Sequence, residues 1–285
     1  MAASEALAIE RIGAGDVASG LALSDAAGWN QTAADWAFFI AEGNAIGVRD
    51  DAGRLVASAA ALLYDGAVGW IAMVLVDADH RHRGWASRLV AACVETLTRS
   101  GRAPLLDATP AGAEVYRRSG FVAGFAFERW QGNVAATDRA AADRGVDLGD
   151  PDALAAMVAI DRSISGVGRP ALLAAFAARS ATRAWLDEDS TGFVMTRAGR
   201  RATQIGPLLA SDDAAALALA ERALAAAAGP VFIDVAAHQP ALQQSLAARG
   251  FVRQRPFIRM ALAATPVPAL VASPRLFAVA GPEFG

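Results

Sequence analysis

Six consecutive residues, Arg81-His82-Arg83-Gly84-Trp85-Ala86, combine what is needed to hold a phosphate or a pyrophosphate. Two guanidinium groups bring full positive charge. Gly84 lets the backbone approach anionic oxygens closely, and Ala86 keeps the second position small. The flanking sequence gives this segment its place. Upstream, Trp70-Ile71-Ala72-Met73-Val74-Leu75-Val76 is a short, apolar, β-branched run that reads as a buried strand, and Asp77 to His80 break it. Downstream, Leu89, Val90, Cys93, Val94 and Leu97 recur at three- and four-residue steps, the period of a half-buried helix. The basic segment therefore opens a helix. There the first amide N–H groups have no intrahelical partner and stand at the positive end of the helix dipole.

The rest of the chain bounds what this cradle can serve. A length of 285 residues suggests two domains of ordinary size. Hydrophobic content is 54% and mean hydropathy is +0.31, but alanine supplies much of it and charges interrupt every long apolar run. No spanning helix is expected. Glu5 and Glu10 near the start do not read as a signal peptide, so the expectation is a cytoplasmic protein without a membrane partner. The net charge of −3 and a pI near 5.7 leave no general basic field, and no nucleic-acid partner is expected. One cysteine, Cys93, excludes an intrachain disulfide and lies on the apolar face of the helix, where it reads as core. His80, His82 and His238 lack metal-ligand spacing, so no metal is expected. Monomer and homodimer both remain open.

The order strand, Arg-x-x-Gly-x-Ala, helix resembles the pyrophosphate loop of the GNAT superfamily of acyl-CoA-dependent N-acyltransferases. An internal repeat extends the resemblance. Leu106-Asp107-Ala108-Thr109, a helix through Val115 and Tyr116, then Gly120-Phe121 and a strand to Arg129 form one unit; Ile233-Asp234-Val235, a helix through Leu242 and Leu246, then Gly250-Phe251 and a strand to Arg259 form another. The segment Tyr116-Arg117-Arg118-Ser119-Gly120-Phe121 resembles the Tyr-x-x-x-Gly-Phe ending of a GNAT domain. Earlier, Trp29-Asn30-Gln31 and Trp36 occupy the connection between two helices, as Asp161 to Arg169 do in the second copy. The fold class expected is α/β with a mixed sheet: two tandem GNAT-like domains, each mostly antiparallel with a splayed central parallel pair flanked by helices. The boundaries expected are 1–133 for a catalytic half, 134–148 for a linker and 149–285 for a degenerate half.

Comparing the copies separates fold from chemistry. Asp107 matches Asp234 and Arg129 matches Arg259, which suggests shared structural roles such as a buried ion pair. The cradle has no second copy. Its counterpart, Gln204 to Asp213, is shorter, lacks both arginines and puts Asp212 and Asp213 where a helix begins; these suit the dipole but would repel a pyrophosphate. Leu246 stands where the first copy has Tyr116.

The resemblance implies a mechanism. Met73-Val74-Leu75-Val76 would pair with the pantetheine arm of acetyl-CoA, Arg81, His82, Arg83, Gly84, Trp85, Ala86 and Ser87 would hold the pyrophosphate, and Thr109 would border the opening. An amine, of a small molecule or a peptide, would attack the acetyl thioester directly, with Tyr116 as general acid toward the leaving thiolate. Many GNAT enzymes carry a glutamate on the strand before the loop, whereas Trp70 to Val76 has no ionisable side chain. Water, Asp107 or Asp161 then stand as alternatives for the base. Trp29, Asn30, Gln31, Trp36, Asp161 and Arg169 are acceptor-site candidates, although Trp36 also suits a core and Asp161 and Arg169 also suit each other. The Gly/Pro-broken segment from Pro266 to Gly285 reads as a tail packed against one half. A non-catalytic acyl-CoA sensor is the alternative function.

Overall fold

A computed structural model describes residues 7–135, 145–263 and 273–285. Most of the expected linker, and Pro266 and Pro268, lie outside the described residues. The first half runs β1 (Ile9–Arg11), α1 (Val17–Ala26), α2 (Ala33–Glu42), β2 (Gly43–Arg49), β3 (Leu55–Leu62), β4 (Val68–Val76), α3 (Trp85–Arg99), β5 (Ala103–Ala108), α4 (Pro110–Arg118) and β6 (Phe121–Val134). The second repeats most of that order: α5 (Pro151–Ser165), α6 (Pro170–Ala177), β7 (Arg183–Leu186), β8 (Phe193–Arg197), β9 (Thr203–Leu209), α7 (Asp213–Ala225), β10 (Gly229–Ala236), α8 (Pro240–Ala248), β11 (Val252–Leu262) and a last strand, β12 (Leu276–Ala278). Helix starts follow local chemistry. At α2 the Thr32 hydroxyl accepts from the Asp35 amide at 3.3 Å while Asp35 accepts from the Thr32 amide at 2.6 Å, a reciprocal capping box. Pro110, Pro151, Pro170 and Pro240 open α4, α5, α6 and α8, where a missing N–H costs nothing.

The two halves share one sheet of twelve strands, in the order β1-β2-β3-β4-β5-β11-β6-β10-β12-β9-β8-β7. The matching last strands of the repeats are exchanged. β11, from the second half, pairs antiparallel with β5 of the first, Ile258 opposite Ala108 and Arg259 opposite Asp107. β6, from the first half, pairs with β10 of the second, Arg129 opposite Asp234. Each exchange places an arginine against the other half's aspartate. Arg259 meets Asp107 through two bonds of 3.0 Å, and Arg129 meets Asp234 through two of 2.8 Å. All four side chains are buried, so the paired residues of the repeat form two bidentate buried ion pairs between the halves.

Alternation along the strands divides the core by face. One face is shared: Trp36, Phe39, Leu105 and Phe127 pack there with Met157, Leu172, Phe176 and Phe193 of the second half. The opposite face is split into two clusters, Leu89, Cys93, Leu106 and Met260 under α3 and α4, and Leu219, Ile233, Leu242 and Phe251 under α7 and α8. No helix of the described residues is long and apolar enough to cross a membrane.

Candidate active site

Each half has one parallel strand pair that opens after three pairings. β4 and β5 pair only from Val68–Ala103 to Trp70–Leu105, and β9 and β10 only from Thr203–Val231 to Ile205–Ile233. The second opening is filled by β12, where Ala278 pairs with Val235 of β10 and with Leu208 of β9, and the Val279 amide donates to the Asp234 carbonyl at 3.0 Å. The first opening has no such strand. It leads into a cavity of about 220 Å³.

The β4 wall is shaped by a bulge. Between the pairs Ala60–Ala72 and Ser58–Leu75, two residues of β4, Met73 and Val74, face one of β3. Met73 takes a φ of 53°, a strained value for a side-chain-bearing residue, and the Ser58 hydroxyl fixes it by donating to the Met73 carbonyl at 2.9 Å. The bulge turns Met73 and Val74 toward the cavity, which both line, while Leu75 and Val76 fall outside its lining.

The basic segment lies at the start of α3, as its pattern requires. Gly84 occupies the N-cap with a φ of 78°, and no side chain caps the helix. A β-carbon at Gly84 would meet open space, so the approach to the amides of Trp85, Ala86 and Ser87 is unobstructed. The preceding turn is braced: the Arg81 Nε donates to the Val76 carbonyl at 3.2 Å and the Arg83 guanidinium to the Asp79 carbonyl at 3.0 Å. His80 bonds Asp77, which together with neighbouring groups holds that carboxyl below its ordinary range, and His82 is exposed at a φ of 61°. At α7 the equivalent position differs. Asp212 caps that helix by accepting from the Ala215 amide at 2.9 Å, so an anion already occupies the place.

Tyr116 lines the cavity from the α3/α4 face and packs near Phe121, with ring centroids 6.1 Å apart. Burial, with Cys93 nearby, pushes its phenol up to about 12, and burial pushes the Cys93 thiol to about 12 as well. Thr109 lines the cavity and caps α4 by accepting from the Gly112 amide at 3.3 Å.

The shared face supplies the opposite wall. Trp29, Asn30 and Gln31 line it, together with Arg129, Arg255 and Phe257 from the exchanged strands. Asn30 is engaged across the halves, accepting from the Arg201 and Ala202 amides at 2.9 and 3.0 Å and donating to the Ala202 carbonyl at 3.1 Å. The Gln31 Oε1 is buried without a partner among the described residues.

Here the expectation of a tail packed against one half is corrected. After β12 the chain crosses to the first half, and Pro282 and Glu283 line the cavity. Apolar and hydrogen-bonding anchors drive the crossing. Phe284 stacks on Phe39 at 5.0 Å and meets Phe176 edge-on at 5.1 Å, while Trp70 Nε1 donates to the Pro282 carbonyl at 3.2 Å and the Tyr64 hydroxyl to the Phe284 carbonyl at 2.8 Å. Glu283 faces Arg197 at 3.3 Å, yet burial outweighs that attraction and pushes its carboxyl up from the usual range. Sequence reasoning missed Glu283; the available signal was a lone acid between Pro282 and the large apolar Phe284 in an otherwise broken segment.

Other sequence candidates lie elsewhere. Trp36 is fully buried in the core, its Nε1 donating to the Ser24 hydroxyl at 3.0 Å. Asp161 and Arg169 form a buried bidentate pair at 2.5 and 3.1 Å, outside the cavity lining, and Arg169 also donates to the Phe284 and Gly285 carbonyls. Asp107 lines the cavity, but both its oxygens are held by Arg259. As possible bases, Asp107 and Asp161 are thus committed to arginines.

Two acetyltransferase (GNAT) domain families match the chain in succession, one over residues 34–123 and the other over residues 157–271. Among solved structures, a putative acetyltransferase from Pyrococcus horikoshii is similar over 99% of this chain and 96% of its own, with a TM-score of 0.78 and 16% identity. A tandem GNAT protein from the clavulanic acid biosynthesis pathway is similar over 92% of this chain and 99% of its own, with a TM-score of 0.62 and 17% identity. A GCN5-related N-acetyltransferase from Sphaerobacter thermophilus also reaches 0.62, covering 92% and 98% at 12% identity. At these identities the likeness is one of fold. Among curated proteins, none matches the chain in sequence.

Proposed function

The chain belongs to the GNAT superfamily as two acetyltransferase domains in tandem, and on that premise we propose that it is an N-acetyltransferase. It moves an acetyl group from acetyl-CoA to an amine by direct attack within a ternary complex, at one donor site in the N-terminal half. The observation that carries this reading is the contrast between the two openings. The first leads to a cavity walled by β4, the strand that runs on to an uncapped, arginine-flanked helix start; the second holds β12 and has Asp212 at the start of its helix.

The residues divide the work. The amides of Trp85, Ala86 and Ser87, with Arg81 and Arg83, hold the pyrophosphate. The Met73 N–H and the Val74 backbone, left out of the β3 ladder by the bulge, pair with the pantetheine amides, while the Met73 carbonyl is held by Ser58. Tyr116 gives its phenol proton to the departing sulfur. An exposed thiol has an ordinary pKa of about 8.5, well below a phenol raised to about 12. Cys93, a core thiol near Tyr116 though outside the cavity lining, shows how burial closes that gap, since it too is raised to about 12. A thiolate expelled into this environment is therefore basic enough to accept the proton.

Calorimetry tests the donor site. One CoA per chain is expected; two equivalent sites would overturn the single-site reading. Reversing Arg81 and Arg83 to glutamate is expected to abolish binding. Tyr116→Phe is expected to leave CoA affinity within about twofold and to lower kcat by about 10²-fold or more, the usual worth of a positioned acid. A Phe variant with wild-type turnover would remove Tyr116 from the mechanism.

A further inference from the structure

Four charged side chains line the cavity, and three have countercharges. Asp107 is held by Arg259, Arg129 by Asp234, and Glu283 faces Arg197. Arg255 makes no ion pair among the described residues, and its Nε is buried without a hydrogen-bond partner. Its guanidinium lies over the Phe257 ring at 5.2 Å, a contact that offsets only part of the desolvation, and an arriving anion would repay the rest. Burial and the neighbouring Arg129 both pull its pKa down from the ordinary arginine value. Gln31 adds a second unsatisfied group in the same wall, a buried amide oxygen that can only accept.

Placement assigns these groups to the acceptor rather than the donor. Arg129 and Arg255 are opposite each other across β6 and β11, and Arg255, two residues before Phe257, lies on the same face of the strand, where Phe257 packs in the shared core. Tyr116 packs with the cluster under α3 and α4, on the other side of the sheet. Donor and acceptor therefore meet through the opening between β4 and β5, from opposite faces. A cavity of about 220 Å³ suits a small acceptor beside the acyl arm.

We propose that the acceptor is a small amino acid whose ammonium group faces Glu283 and the Gln31 oxygen and whose carboxylate pairs with Arg255. This deepens the N-acetyltransferase reading and rests on it. Glu283 takes one proton from the ammonium. The freed amine attacks the thioester carbonyl, the C–N bond forms and the C–S bond breaks, and Tyr116 protonates the sulfur. The second nitrogen proton returns through water to the phenolate, while Glu283 gives its proton to solvent. The charged groups acting on Glu283 are Arg197 from β8, Arg129 from β6 and Asp35 from α2.

The test is acetyl-CoA-dependent thiol release with free α- and ω-amino acids, each paired with its amide and its decarboxylated amine. The wild-type chain is expected to favour at least one acid over its amide by about 10- to 100-fold in kcat/KM, the worth of one charge-assisted bond. Arg255→Met is expected to bring that ratio close to unity, mainly through KM, and Arg255→Lys to restore part of it. Glu283→Gln is expected to lower kcat and to flatten the acid limb of the pH–rate profile. Equal use of acids and amides by the wild type, an equal loss on both in Arg255→Met, or no acid acetylated while calorimetry still reports acetyl-CoA bound would each overturn the proposal and leave the enzyme reading standing. Failure to bind acetyl-CoA would sink both.

Discussion

Glu283 and Tyr116 are both pushed toward their protonated forms by burial, with opposite consequences for function. A proton donor benefits from staying protonated; a base must be ionised to act. Because the folded chain holds the Glu283 proton more tightly than the unfolded one, its contribution to stability is complete below the ordinary carboxylate value. It is lost as pH rises through the raised one. Ionised Glu283 therefore costs stability at neutral pH. The Tm of Glu283→Gln relative to the wild type is expected to rise from pH 4 to pH 8, set against the loss of Arg197's countercharge at every pH; a relative Tm that falls over that range would contradict the burial argument. The cradle was legible in the sequence because it is contiguous and sits between two strong periodicities. Glu283 was not, because nothing local says which cavity a broken segment will enter. The pairing of Asp161 with Arg169, eight residues apart, was open in the sequence because one helix end and its following loop can point together or apart.

Among the elements, β12 combines two roles that the sequence kept separate. It fills the second opening, and by ending there it sends Pro282 to Gly285 across to the first. Gly206 of β9 permits this closeness: it has a φ of 144°, and a β-carbon would collide with the Val279 carbonyl. Gly206→Ala is expected to cost about 1–3 kcal/mol by overpacking and strain, a Tm fall of about 2–12 °C for a chain of this size. It should also reduce turnover, because Glu283 is carried by the displaced segment, while leaving CoA affinity unchanged. Normal turnover in a destabilised variant would separate β12 from the site. The elements around the cradle were legible from period: the strand read from Trp70 to Val76 begins at Val68, and α3 starts at Trp85. The bulge at Met73 was not, since neither it nor its partner strand carries a glycine or proline there to mark it.

For the whole molecule, the repeat was legible but its strand exchange was not, because Asp107 and Arg129 could equally have met within one copy. The exchange makes the halves mutually dependent. Arg259→Ala leaves Asp107 buried and unpaired and is expected to cost about 3–5 kcal/mol, checked by denaturant unfolding. Residues 1–133 expressed alone should fail to give a soluble CoA-binding protein, and co-expression with 134–285 should rescue it; a soluble, binding first half would show that β5 can close on β6. The pairing also sets an order of events during synthesis. Asp107 and Arg259 are 152 residues apart, a gap that a ribosome crosses in roughly 8–30 s at about 5–20 residues per second. Throughout that interval the native neighbour of β5 is still to be made, so its edge is open to any strand already synthesised, β6 of the same half first among them.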